Sequence, residues 1–280
     1  MNAIDPADIF SGTLLILAPH MDDEVLACGG TMAGLPRKDR VHVVYATDGT
    51  RSPVPAASTP DASAPELESI RMQEARAAMA ILGIPESNLY FLGLPDGALQ
   101  QQEKELTPAL VETMHGTRPD QILAPFRYDR HPDHLALYRA TLQAVAAACP
   151  WAELYEYFVY HRYRLLPGGD IRRFIRPHLR MSVNIQLWSA KKKQALQSYR
   201  SQTTLFYSWQ ARPILPQKRV DDVSRQPEIF LKYDPGFPGP DVFGHGQAWI
   251  RLMHLVEPLL KHRKDQMLGM LKRGLAGNGR

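Results

Sequence analysis

The 280-residue chain has only two cysteines, Cys28 and Cys149. So few exclude a disulfide framework, and neither has a CxxC partner or the spacing of a structural zinc knuckle. A reducing, cytoplasmic compartment is the expectation. Long apolar runs are missing too. The first, Leu14 to Pro19, is too short for a signal core or a membrane span, and Met1 to Phe10 carries Asp5 and Asp8 where a leader would be basic. No Gly-x-Ser-x-Gly elbow occurs, which removes support for a serine hydrolase. Gly29-Gly30 only faintly echoes a dinucleotide loop, because the G-x-G-x-x-G spacing and a Walker lysine are absent. No internal repeat of the kind a solenoid needs is found.

What is present describes an ordinary globular chain, 44% hydrophobic and 22% charged. The net charge of +4 hides a division. Residues 1–160 hold 11 Lys+Arg against 21 Asp+Glu, whereas 161–280 hold 22 against 8. The basic part includes Arg172-Arg173, Arg176, Arg180, Lys191-Lys192-Lys193, Lys218-Arg219 and Lys261 to Lys264. It shows no recognisable module with interleaved aromatics, so nucleic acid is not an expected partner. It reads either as a solvated charged surface or as a means of recognising an anionic part of a substrate.

Short apolar runs alternate with helical patterns, the signature of βα units building a parallel sheet. The runs are Leu14–Ala18, Val41–Ala46, Leu89–Leu92, Ile122–Ala124, Leu154–Val159 and a weaker Ser182–Ile185. Glu66–Leu82 reads as a helix that stops at Gly83 before Pro85, and His134–Ala148 and Leu187–Tyr199 read as helices as well. Arg51 to Pro65, rich in Ser, Pro and Ala, reads as a mobile flap or a plain linker. Arg212 to Gly246 has little periodicity and suggests an irregular C-terminal extension. Trp249 to Lys272 reads as a last helix that packs on the sheet, pairs with another subunit or touches a membrane surface.

Chemistry gathers after two of the runs. The first is followed by His20-Met21-Asp22-Asp23-Glu24, and the fourth, ending in Ala124-Pro125, by His131-Pro132-Asp133-His134. In a parallel sheet both loops open on the same edge, where open α/β proteins place their ligands. A catalytic zinc takes three His or carboxylate ligands and keeps one position open, and His20, one aspartate of the Asp22-Asp23 pair and one histidine of the second segment supply such a set. The other aspartate is then free to take a proton, and the other histidine to face the reacting group. Acidic residues at 22 to 24 and Pro132-Asp133 are also ordinary helix-start chemistry, so each segment alone has a structural reading. His245, flanked by Gly244 and Gly246, is a further histidine that could reach a site.

These two motifs, with Arg71-Met72-Gln73-Glu74, Leu82-Gly83-Ile84, Lys192-Lys193-Gln194-Ala195-Leu196 and Ser201-Gln202, resemble the PIG-L or LmbE-like family of zinc-dependent N-deacetylases over roughly residues 12–205. The resemblance implies a Rossmann-like three-layer α/β sandwich with a mostly parallel sheet. A deacetylase domain would span residues 1–205, with residues 206–280 an irregular, basic extension packed on it. It also implies one zinc per chain, bound by His20, Asp23 and His134, with Asp22 as general base. His131 would stabilise the oxyanion or protonate the leaving amine, Asp133 would orient a histidine from behind, and Arg71 and Asp96 would contact substrate hydroxyls. Expected substrates are N-acetylglucosamine-type small molecules or glycoconjugates, cleaved by metal-activated water. An amidase for another N-acyl sugar, or a non-catalytic sugar- or nucleotide-binding Rossmann module, is the alternative. Met21 replaces the family's usual proline, and Asp129-Arg130 stands where some members carry an assisting tyrosine.

Overall fold

The computed structural model describes residues 4–53, 64–163, 166, 168–253 and 256. Residues 54–63 of the flap-or-linker segment, and the Trp249 to Lys272 helix beyond 253 apart from 256, lie outside the described residues. The chain divides into two compact units, residues 1–160 with 180–233, and residues 161–179 with 234–280. Among the described residues no helix is long and apolar enough to cross a membrane.

The first unit is built on a seven-stranded sheet in the order β3-β2-β1-β4-β5-β7-β6. The strands are β1 (Leu14–Ala18), β2 (Val41–Thr47), β3 (Leu89–Leu94), β4 (Gln121–Pro125), β5 (Glu153–Tyr157), β6 (Arg180–Val183) and β7 (Glu228–Lys232). The first five pair in parallel, and β7 runs antiparallel to both β5 and β6. The sheet is therefore α/β and mostly parallel, as expected. The segment beyond residue 205, read as irregular, contributes β7 and the helix α8 (Gln217–Arg225).

Side chains on β1 alternate between two cores, as the pleat requires. Leu14, Ile16 and Ala18 join one cluster with Val43, Tyr45, Ala75, Met79 and Leu196, while Leu15 and Leu17 join another with Val44, Leu106, Leu110 and Leu137. Helices thus cover both faces. On the first lie α2 (Asp23–Gly34), α3 (Ala64–Leu82), α6 (Ser189–Ser198) and α8, and on the second α4 (Glu103–Thr117) and α5 (Pro132–Ala148). Burying each such Leu or Ile stabilises the fold by roughly 1.5–3 kcal/mol, which accounts for the unbroken apolar runs of the central strands. Helix α3 ends as its sequence predicts: Gly83 takes φ +86° and the Ile84 N–H donates to Met79 O at 2.9 Å.

The chain winds outward from β1 through β2 to β3, then crosses to β4 on the other side. The loops after β1 and β4 therefore meet at a topological switch point, the crevice where such sheets bind ligands.

Candidate active site

His20 and Asp22 lie in the turn between β1 and α2, and Asp23 opens the helix. One carboxylate oxygen joins the two motifs: Asp23 Oδ2 lies 3.0 Å from His20 Nδ1 and 3.1 Å from His134 Nε2. His131 caps α5 with its ring, whose Nδ1 accepts the Asp133 N–H at 3.3 Å, and Pro132 follows at the first helical position. That bond leaves the neutral imidazole's hydrogen on Nε2. His134, one helical turn on, is completely buried.

Asp22 holds a backbone conformation that L-residues avoid, φ 140°. It precedes α2, but its side chain makes no capping hydrogen bond. Its N–H donates to Glu24 Oε2 at 3.0 Å, and the hydroxyl of Tyr199 donates to Glu24 Oε1. A third support is the Arg71 guanidinium, which donates to the Met21 carbonyl and, at 3.0 Å, to Ser52 O, and lies 3.6 Å from Asp22 Oδ1. A strained residue costs on the order of 1–3 kcal/mol and survives where its surroundings over-determine it.

Carboxylates dominate the electrostatics. Asp133 Oδ2 and Asp96 Oδ1 lie 3.2 and 3.3 Å from His20 Nε2. Asp133 also accepts from Gly97 N (2.7 Å) and Leu99 N (3.1 Å), tying the β3–α4 loop to the site. Burial works against charge on both His20 and His134. Nevertheless Asp133, Asp23 and Asp96 hold His20 well above the usual histidine range, and Asp129 and Asp23 push His134 up to about 9. Burial, with His20 and His134 beside it, lowers His131 to about 4. Burial raises the Asp22 carboxyl well above the usual carboxylate range, although Arg71 opposes the shift.

This environment calls for a positive charge, and its donors suit a divalent cation. Among the described residues neither ring nitrogen of His134 finds a well-directed hydrogen-bond partner, although each has a carboxylate close by. A buried imidazole in that state can serve as a metal ligand, with the carboxylate on its other nitrogen orienting it. Two groups of side chains also bring ligand atoms within 4.8 Å of one another, His20 with His131 and His134, and His20 with Asp96 and Asp133.

Residues 15–145 match the family described as PIG-L, GlcNAc-PI de-N-acetylase. Residues 15–145 thus form a PIG-L-type domain, and it contains both histidine motifs. It is similar to the 2'-N-acetylparomamine deacetylase of Streptomyces fradiae, 28% identical over 215 residues that cover 69% of this chain and 74% of the relative. Among solved structures it resembles the N,N'-diacetylchitobiose deacetylase of Pyrococcus horikoshii, with a TM-score of 0.60 and 21% identity over 84% of this chain and 88% of that one. It also resembles the 4-carboxy-2-hydroxymuconate hydratase of Pseudomonas putida, with a TM-score of 0.53 and 19% identity over 75% and 82% of the two chains. A fold shared with a hydratase does not by itself fix the reaction, which must be argued from the site.

Within this PIG-L domain, the structure brings His20, Asp22, Asp23, Asp96, His131, Asp133 and His134 together, with Arg71 beneath Asp22. Arg71 is almost fully buried; its two terminal nitrogens donate to backbone carbonyls of the surrounding loops, while its Nε has no hydrogen-bond partner among the described residues. His245 belongs to the second unit, where its ring lies 5.0 Å from that of Phe174. Both cysteines are buried thiols. Sequence reasoning missed Asp129, whose Oδ2 faces His134 Nδ1 at 3.3 Å and whose Oδ1 accepts the His131 N–H at 3.0 Å. Its place two residues before His131 was the available signal. Tyr160, which packs on His131 and His134 from the end of β5, gave none.

Proposed function

We propose that this protein is a zinc-dependent hydrolase that removes the acetyl group from an N-acetylated amino sugar, free or part of a glycoconjugate. The observation that carries the reading is the Asp23 oxygen between His20 Nδ1 and His134 Nε2, with the strained Asp22 next in sequence and His131 across the site. The deacetylases of Streptomyces fradiae and Pyrococcus horikoshii support the substrate class.

In this reading His20, Asp23 and His134 hold one zinc ion, which when bound supplies Lewis acidity toward the amide carbonyl. Asp22, the carboxylate next to Asp23 and not itself a ligand, takes a proton from the attacking water. His131 is neutral and carries its hydrogen on Nε2, so it donates a hydrogen bond to the carbonyl oxygen as negative charge develops there. The proton held by Asp22 passes to the departing amine, and acetate and the free amino sugar result. Asp133 and Asp129 orient His20 and His134, Arg71 supports Asp22 from beneath, and Asp96 borders the substrate's polar side.

Acetate release over a panel of free, lipid-linked and nucleotide-linked N-acetylglucosamine derivatives, with metal analysis of the purified protein, tests the reading. Asp22→Asn is expected to keep zinc and lose acetate release about 100-fold or more, whereas His134→Ala loses the metal. Full turnover by Asp22→Asn, or no acetate from any member of the panel, overturns it.

A further inference from the structure

Among the described residues seven large apolar or aromatic side chains are conspicuously exposed, and one of them, Tyr160, touches the candidate active site. It lies three residues past the end of β5, on the sheet edge that carries the histidine loops. Its backbone is fixed, since the N–H donates to Asp129 Oδ2 at 3.1 Å. The ring runs nearly parallel to that of His131, 24° between planes and 6.0 Å between centroids, and stands 5.4 Å from that of His134. Even so, the residue is 48% exposed.

A half-exposed aromatic ring beside a catalytic imidazole has two possible uses. Its hydroxyl could donate to the substrate, or its free face could carry apolar surface of the substrate. The geometry favours the face. The half-exposed ring stands nearly parallel to His131 and beside His134, and so presents a flat surface next to the imidazole that the reaction uses. An amino-sugar ring has an apolar face of C–H bonds whose positive edges suit the negative face of a π-system. Resting on the reading of the site as an amino-sugar deacetylase, we propose that Tyr160 is a specificity-determining residue, the platform on which the substrate's sugar ring lies so that its acetamide meets His131.

Calorimetric binding of glucosamine and of acetate to the zinc-loaded wild type, Tyr160→Phe and Tyr160→Leu tests the platform. Tyr160→Phe should bind glucosamine within about twofold of wild type, whereas Tyr160→Leu should bind it about five- to tenfold more weakly, with acetate affinity unchanged in both. Equal losses in Phe and Leu would assign the effect to the hydroxyl and overturn the proposal. Unchanged glucosamine binding in Leu overturns it as well, and so does a parallel loss of acetate binding, which would mark a merely structural role. If wild type binds glucosamine through Tyr160 but releases no acetate from the panel, the reaction is wrongly assigned while the platform stands. If acetate is released and Tyr160→Leu binds the sugar normally, the reverse holds.

Discussion

Asp129 stands behind His134. Its Oδ2 lies 3.3 Å from the imidazole Nδ1, while Nε2 of the same ring lies 3.1 Å from Asp23. A carboxylate in that place fixes the ring and raises its basicity as a metal ligand. Asp129→Ala is therefore expected to weaken zinc binding about 10- to 100-fold. Metal retention during titration with a competing chelator measures this, and unchanged retention would sink the assignment.

Tyr199 and Glu24 hold Asp22 from below. In Tyr199→Phe, Glu24 keeps the Asp22 N–H but loses the phenol from its other oxygen, in a site where burial has already raised its pKa to about 8. The expected cost is about 1–3 kcal/mol of stability. The kcat for acetate release should fall while zinc content stays full, since no proposed ligand is touched. A variant with wild-type kcat would show that the Tyr199 hydroxyl is not needed to position the base.

Lys192 and Glu228 form a buried ion pair, 2.6 Å from Nζ to Oε1. Lys192 also donates to Leu26 O at 2.9 Å, and Glu228 accepts the Gly30 and Thr31 N–H groups, each at 2.7 Å. The pair thereby fastens β7 and α6 to the middle of α2. Lys192→Met leaves a buried carboxylate uncompensated and should cost about 3–5 kcal/mol in urea unfolding. Lys192→Met with Glu228→Gln should recover part of that loss, and a double variant no more stable than the single one would contradict the account.

Lys38 donates to Met32 O and, at 2.7 Å, to Ala33 O at the end of α2, and burial lowers its pKa to about 8. Between that value and the ordinary lysine range, the unfolded chain binds the proton more readily than the folded one. The contribution of this group to stability therefore rises with pH from about 8 upward. Relative to Lys38→Met, wild-type protein should gain stability between about pH 7.5 and pH 10 in denaturant titrations, and a flat difference would refute the assignment.

Much of this was legible in the sequence because the chemistry sits in two short motifs directly after strands. His20, Asp22 and Asp23 need only the β1–α2 turn, and His131 and His134 only the first turn of α5. The supports were hidden because they depend on distant pairings. Glu228 reaches α2 across nearly two hundred residues, and Tyr160 meets the histidines only because β5 lies beside β4. β7 itself was missed. Its Glu-Ile-Phe-Leu-Lys is a short run between stretches rich in Gln, Pro and Gly, and its first residue is a buried glutamate whose charge reads as surface until Lys192 is seen beside it.

The φ of 140° at Asp22 sets two demands on one residue against each other. Glycine would relax that backbone without strain, so selection for stability alone favours removing the side chain. The aspartate can persist only if something other than stability rewards it, and hydrolysis is the reward proposed above. Asp22→Gly is thus a substitution that should make a firmer protein and an idle one, a signature of function that can be read from a melting curve before any substrate is known.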